Sequence, residues 1–349
     1  MPQDPANTAA RDAPAASRAA SRLRQEWLLP AALLLFPALA LAQLQAELTN
    51  TAPNLAGLNA AYYDGTMGPI FDARLLMRLV VRGTEALLPL SLGHAHVLWQ
   101  AATLWGGLLC CLGAARRLGA LPAQALLAPL VAVAWLPWTF LRTGHHASFP
   151  YDFPALLFAA GALWAFIARR HAAHVALVLV GTLSKETIVW LAAAPLALAL
   201  LERGAWKRHF AWGIVACAAF AAAYLAARLP MGAWWTASLE APIDGAAPRP
   251  RLSTNFEELL LGGMSGPLQN AWLAWAPLLA GLACWRRLPL EARAAYLALP
   301  VFLGPILLAG NVNELRLYND VLPLGAVVVA LLLAAGANSN RESLLTARF

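Results

Sequence analysis

Long apolar runs separated by short polar segments dominate the chain and predict a bundle of membrane-spanning helices. Eight of these runs have spanning length, at roughly 27–44, 94–114, 121–138, 152–168, 210–229, 268–285, 292–310 and 318–336. The expected fold class is therefore all-α, a polytopic transmembrane helical bundle over 26–337. The segment 1–25 is rich in Ala, Ser, Pro and Arg, which predicts a disordered tail, and a second tail follows at 338–349.

A ninth run, Val175 to Leu201, carries Lys185 and Glu186 near its middle. As one helix of about 27 residues it would reach ~40 Å. It would also bury two adjacent charges in the bilayer at ~2.5 to 3.5 kcal/mol each. A hairpin of two short helices, about 174–184 and 187–201, places the charged pair at an apex instead. The count then becomes ten spans.

With ten spans, the basic clusters at 18–24, 116–117, 169–170, 203–208, 286–287 and 341 all fall on one side of the membrane. That side is the cytoplasmic one in bacterial inner membranes. Both termini are then cytoplasmic, and the outer loops lie at about 45–93, 139–151, 230–267 and 311–317. Most acidic residues fall on these outer loops. Topology alone accounts for part of that asymmetry, because arginine is retained inside while acids are less restricted.

Composition supports a membrane protein and argues against nucleic-acid binding. The chain is 60% hydrophobic and 12% charged, and its net charge of +7 comes from small arginine clusters between apolar runs. Its four cysteines all lie inside apolar runs without metal-ligand spacing. Histidines at 94, 96, 145 and 146 are typical of polar helix ends, although a metal site on the outer face stays an alternative.

The first outer loop contains an amphipathic segment, Ile70 to Arg82. Arg74, Arg78 and Arg82 recur every four residues on one face, and the opposite face carries Leu75, Leu76, Leu79 and Val80. This pattern predicts a helix along the outer interface, with arginines directed at headgroups or phosphates. The helix either has no ligand or forms a platform for an anionic lipid head.

Four short motifs resemble the GT-C superfamily of glycosyltransferases, which use polyprenyl-phosphate sugars. A first span is followed by Tyr62-Tyr63-Asp64-Gly65 and then by an amphipathic helix with the pair Arg74-Leu75. Tyr151-Asp152-Phe153-Pro154 opens the fourth span, and Ser184-Lys185-Glu186-Thr187 forms the hairpin apex. The segment from Asn313 to Tyr318 is similar to a Glu-x-Arg motif ahead of the last span.

This resemblance implies an inverting transfer of a sugar from a polyprenyl-phosphate donor to an acceptor on the periplasmic face. An acid of the first outer loop is the base in that superfamily, which favours Asp64, with Asp72 in reserve. Cations must hold the departing phosphate. Lys185 and Arg316 are the first candidates, followed by Arg74 and Arg142.

The remaining candidates for substrate binding are Tyr63, Asp152, Glu186 and Glu314. Intramolecular pairing of buried charges is an alternative explanation for the adjacent pair Lys185 and Glu186 and for Glu314 with Arg316. The expected partners are membrane lipid and a polyprenyl-phosphate-linked sugar. Whether the chain uses a divalent metal stays open, because the sequence contains no clear DxD metal-binding motif. The sequence does not specify the sugar, the acceptor or the oligomeric state.

Two other classes of function remain. A transporter or flippase for a lipid-linked sugar or anion would place polar residues near the midplane, often within inverted repeats, and no repeat is visible. A non-catalytic protein of envelope assembly is compatible with the same sequence.

Overall fold

The computed structural model describes residues 27–48, 60–66, 73–141, 150–229, 268–309 and 315–346. Side chains within 138–141, 268–275, 308–309, 315–317 and 336–346 lie outside this description. All regular structure in the described part of the chain is helical. The longer helices are α1 (Trp27–Leu48), α2 (Leu75–Leu87), α3 (Leu92–Arg117), α4 (Leu127–Leu141), α5 (Asp152–Ile167), α6 (His171–Ser184), α7 (Val189–Leu201), α8 (Trp206–Arg228), α9 (Leu268–Ala283), α10 (Leu290–Ala309) and α11 (Leu322–Thr346).

Four helical segments are long and apolar enough to cross a membrane, as judged by length and composition. They are Trp27–Leu48, Leu92–Arg117, Arg203–Arg228 and Leu290–Leu307. The apolar segments of the other helices, including Leu322–Ala335 of α11, are shorter. A helix of 16 residues such as α5 reaches only about 24 Å, less than the ~30 Å hydrocarbon core. The all-helical fold is confirmed, whereas the count of ten spans stays a prediction.

Helix α5 forms the centre of the bundle. Thirteen of its 16 residues are buried, and it packs against α3, α6 and α11. Close approach to α3 depends on Gly107, where an added Cβ would lie 3.3 Å from the Leu157 Cα. Small residues at such contacts allow two helix backbones to approach closely. The start of α5, which carries Asp152, is therefore held firmly in the middle of one end of the bundle.

The chain reverses direction between α6 and α7. Arg169, just before α6, forms an ion pair of 2.9 Å with Glu202, just after α7, while Lys185 lies between the two helices. Arg169 also contacts Glu291 at the start of α10, at 2.8 Å. The Arg169 hydrogen bond lowers the pKa of Glu202, so this pair stays charged at neutral pH. The reversal within Val175–Leu201 therefore occurs where the charged pair predicts it.

Ionic contacts divide the bundle into two ends. The end that contains Arg169, Glu202 and Glu291 is called the arginine end, and the end that contains Lys185 is called the apex end. Helices α5 and α7 run from the apex end to the arginine end, whereas α6 and α8 run the opposite way. Charged groups with distant positions in the sequence consequently meet at each end.

Three details differ from the sequence predictions. Helix α2 begins at Leu75, and its buried residues are Met77 and Val81 rather than the predicted set of Leu75, Leu76, Leu79 and Val80. Leu79 is exposed. Helix α11 continues to Thr346, beyond the predicted end near 336. The predicted tail at 1–25 and the whole of the loop at 230–267 lie outside the described residues.

Candidate functional site

The apex turn begins where α6 ends. Helix α6 ends at Ser184, and Lys185 adopts an extended backbone before a turn of 3-10 helix at Glu186–Ile188. Gly181, one turn earlier, allows α6 to pack closely against α5, because an added Cβ would lie 2.7 Å from the Phe158 Cβ. The turn directs the Lys185 side chain into the bundle, where it is only 2% exposed.

The Lys185 ammonium lies between two buried carboxylates. It is 3.2 Å from the Asp152 Oδ1 at the start of α5 and 2.9 Å from the Asp320 Oδ2 just before α11. Thr187 donates a hydrogen bond of 2.5 Å to the same Asp320 oxygen. This arrangement ties the apex turn to the starts of two helices that are far apart in sequence. An ammonium buried so completely requires such partners, since an unpaired charge there would be strongly destabilising.

A second ion pair joins the apex turn to the first loop. Arg74, just before α2, makes a two-pronged contact with Glu186, through Nε to Oε2 at 3.2 Å and Nη2 to Oε1 at 2.8 Å. The Arg74 guanidinium also lies over the Tyr151 ring, 4.2 Å from its centroid. The Tyr62 hydroxyl donates a hydrogen bond of 2.6 Å to the Arg74 carbonyl oxygen. The first loop is thus fastened to both the apex turn and the start of α5.

Arg228, the third cation of this site, approaches Glu186 from the end of α8. The Arg228 Nη2 lies 3.7 Å from the Glu186 Oε1, and its guanidinium lies over the Tyr224 ring at 4.5 Å. Together these contacts connect three cations with three carboxylates, namely Lys185, Arg74, Arg228, Asp152, Asp320 and Glu186. We call this set the apex network. Its formal charges cancel, which is how a bundle accommodates so many buried ions.

Asp64 lies beside the apex network in a more open position. Its side chain is 55% exposed and pairs with Arg82 of α2, which also contacts Glu85 at 2.8 Å. Gly65 follows in a left-handed conformation (φ 71°) that glycine adopts without strain, and Arg78 approaches it closely. The turn therefore presents the Asp64 carboxylate outward.

Tyr62 and Tyr63, which precede this carboxylate, are buried. The Tyr63 hydroxyl lies 2.6 Å from the His96 Nδ1, and the Tyr62 ring packs edge-on against Tyr151. Burial raises the pKa of both tyrosines, so their hydroxyls stay protonated at neutral pH. Tyr63 supports the Asp64 turn and does not present its hydroxyl at the surface.

The structure brings together several of the predicted residues. Lys185, Glu186, Arg74 and Asp152 belong to the apex network, and Tyr63 and Asp64 lie next to it. The prediction that Arg74 is directed at headgroups is wrong, because its side chain is buried against Glu186 and Tyr151. Asp72, Arg142 and Glu314 lie outside the described residues, as does the side chain of Arg316.

The sequence interpretation missed Asp320 and Arg228 as members of the site. Arg228 had a usable signal: it is a lone arginine at the end of an apolar run on the side opposite the arginine clusters. Asp320 stands just inside the last apolar run, where a carboxylate requires a partner. Both residues find their partners at the apex turn.

No group of three or more His, Cys, Asp or Glu residues in the described ranges has the arrangement of a metal site. His94 contacts the Ser91 hydroxyl, and His96 contacts Tyr63. His145 and His146 lie outside the described residues. Comparison with known protein families, with curated proteins and with solved structures finds no match to this chain. Function must therefore be argued from the residues themselves.

Proposed function

We propose that the chain is an integral-membrane glycosyltransferase of the GT-C type, which moves a sugar from a polyprenyl-phosphate donor to an acceptor on the periplasmic face. The proposal includes ten spans in the bacterial inner membrane, with both termini in the cytoplasm and the apex end facing the periplasm. The convergence of three of the four motifs carries it. The segments at 62–74, 151–152 and 185–186 are far apart in the sequence, yet side-chain contacts join them into one cluster.

Membrane insertion is supported by apolar surface as well as by helix length. Large apolar side chains are exposed along α1 and α8, including Phe36 and Ile214. Water-soluble proteins rarely expose contiguous apolar surface of this kind. The short helices α5 and α7 lie largely inside the bundle, where neighbouring helices replace lipid contacts. They would cross a locally thinned bilayer.

In the proposed reaction, Asp64 acts as the general base. Its carboxylate takes the proton of the acceptor hydroxyl while the acceptor oxygen attacks the anomeric carbon. The bond between that carbon and the donor phosphate oxygen breaks, and the lipid phosphate leaves with the electron pair. Asp64 suits this role because its carboxylate is exposed to an incoming acceptor, whereas Asp152 and Asp320 are enclosed around Lys185. Asp72 remains the reserve base.

The departing phosphate requires cations at the same end of the bundle. Arg316 and Arg142 remain proposals from the sequence, since their side chains are not described. Lys185 is proposed to act indirectly, because two carboxylates already enclose its ammonium. Among the described cations, Arg74 pairs with Glu186, whose side chain is 29% exposed.

The experiment that tests this function is a transfer assay in membranes. Membranes from cells that express the chain are supplied with polyprenyl-phosphate sugars labelled in the sugar, and labelled products other than the donor are measured. We expect label in a new covalent product that membranes without the chain do not form. Absence of such a product across the common hexose and pentose donors would reject a glycosyltransferase.

A transporter is the second candidate, and the apex network favours it. Charged residues that pair with one another inside a helical bundle often mark ion or proton pathways in transporters. Reconstituted vesicles distinguish the two functions. Uptake of a lipid-linked sugar or anion without a covalent product supports transport, and product formation without uptake supports transfer.

A further inference from the structure

The accessible part of the apex network is the Glu186 carboxylate. Its side chain is 29% exposed, whereas the other five members are exposed by a tenth or less. Glu186 lies between the guanidinium groups of Arg74 and Arg228, at 2.8 Å and 3.7 Å. A ligand that arrives from outside would therefore meet these two arginines only by displacing Glu186.

The pairing resembles the way arginine binds phosphate. A guanidinium makes the same parallel, two-pronged contact with a carboxylate and with a phosphate. Glu186 satisfies Arg74 in this way, but Arg228 lies too far from it for a hydrogen bond. A phosphate monoester carries three terminal oxygens and nearly two negative charges, so it can engage both arginines at once.

We infer that Arg74 and Arg228 form a phosphate seat that Glu186 occupies until a phosphate monoester displaces it. The ligand class rests on the proposed function, in which the group that leaves the sugar is a lipid phosphate monoester. Among the three carboxylates of the network, displacement costs least for Glu186, because its side chain is partly exposed and can move toward water. Displacement costs more for Asp152 and Asp320, which are enclosed around Lys185.

The surroundings favour a phosphate carried by a lipid. Helix α2 begins directly after Arg74 and exposes Leu79 and Leu87, by 64% and 84%. Exposed leucines along the helix that starts at the seat give an acyl or prenyl chain apolar surface to lie on. Free phosphate would use the seat without these leucines, so the two sources can be separated by experiment.

The test is equilibrium binding of a radiolabelled long-chain polyprenyl phosphate to the purified full chain in detergent, without any sugar. Glu186→Gln should tighten binding by about tenfold, since the competing charge is removed. Arg228→Gln should weaken binding by about tenfold, and the double variant should lose the gain seen in Glu186→Gln. Inorganic phosphate and the corresponding polyprenol are measured in parallel.

The arginine end supplies matched controls. Glu202→Gln removes another carboxylate paired with an arginine, and Arg116→Gln removes an arginine that lies over the Trp27 ring. Neither change should alter binding. Size-exclusion profiles establish which variants fold. If Glu186→Gln does not fold, the comparison of Arg228→Gln with Arg116→Gln decides alone.

Unchanged or weaker binding in a folded Glu186→Gln protein would overturn the seat, as would unchanged binding in Arg228→Gln. Equal binding of the polyprenol would also overturn it. Inorganic phosphate binding as tightly as the lipid supports the seat and assigns it to soluble phosphate. Binding of polyprenyl phosphate by a protein that transfers no sugar would reject the proposed function but not the seat. An unchanged rate of sugar transfer in Arg228→Gln would reject the seat but not the proposed function.

Discussion

Replacing Lys185 with methionine should lower the Tm of the purified protein by on the order of 10 °C. The ammonium is 2% exposed and is shared by Asp152 and Asp320, which are also buried. Removal of one partner from a buried ion pair typically costs about 3 to 5 kcal/mol, because the remaining charges lose their compensation. Here two carboxylates lose it together. Thermal unfolding in detergent, followed by tryptophan fluorescence, measures the change.

The only other lysine of the chain provides the control. Lys207 is exposed at the arginine end, so Lys207→Met should change the free energy of unfolding by less than about 0.5 kcal/mol. Adding Asp152→Asn and Asp320→Asn to Lys185→Met should recover much of the lost stability, because no buried charge is then left unpaired. Equal Tm values for the Lys185 and Lys207 variants would contradict the buried network.

Asp64→Asn should reduce sugar transfer by about 10² to 10⁴-fold, the range that a general base contributes. Asparagine keeps the size of the side chain and can still accept a hydrogen bond from Arg82, but it cannot take a proton at neutral pH. The expected loss therefore appears in kcat, with normal expression and an unchanged Tm. The measurement is the rate of labelled product formation in membranes.

Glu85→Gln is the matched control for this variant. Glu85 pairs with the same arginine and is also partly exposed, so the substitution makes the same change in charge beside Arg82. It should retain transfer within about threefold, because the carboxylate has no assigned role in proton transfer. Full activity in Asp64→Asn would remove Asp64 from the mechanism and shift attention to Asp72. Equal losses in both variants would indicate a general electrostatic effect.

Much of the fold follows from local patterns in the sequence. Polar segments mark where each apolar run begins and ends, so the positions of helices such as α3, α8 and α10 can be predicted within a few residues. The reversal at Lys185-Glu186 was predictable for an energetic reason, since two adjacent charges are costly in the middle of a span. The ion pair between Arg169 and Glu202 is consistent with that argument.

The pairing of the charges was beyond prediction from the sequence. Arg74 meets Glu186 across 112 residues, and that contact depends on how α2 packs against its neighbours. Helical periodicity assigned Arg74 to the polar face of an interfacial helix, but the residue precedes the first turn of α2 and lies inside the bundle. Arg228 and Asp320 are single charges at the ends of apolar runs, so the sequence indicated that each needs a partner but not which residue provides it. Their roles emerge only from tertiary contacts.

Thiol labelling tests the central claim most directly, namely that the first loop and the apex turn face the same side of the membrane and opposite the arginine end. Single cysteines replace Thr66, Glu186 or Gly204 in a chain whose four native cysteines are changed to alanine. In intact spheroplasts, an impermeant thiol reagent should label positions 66 and 186, whereas position 204 should react only after permeabilisation. Labelling of 186 and 204 from the same side, or protection of 186 under both conditions, would contradict the account.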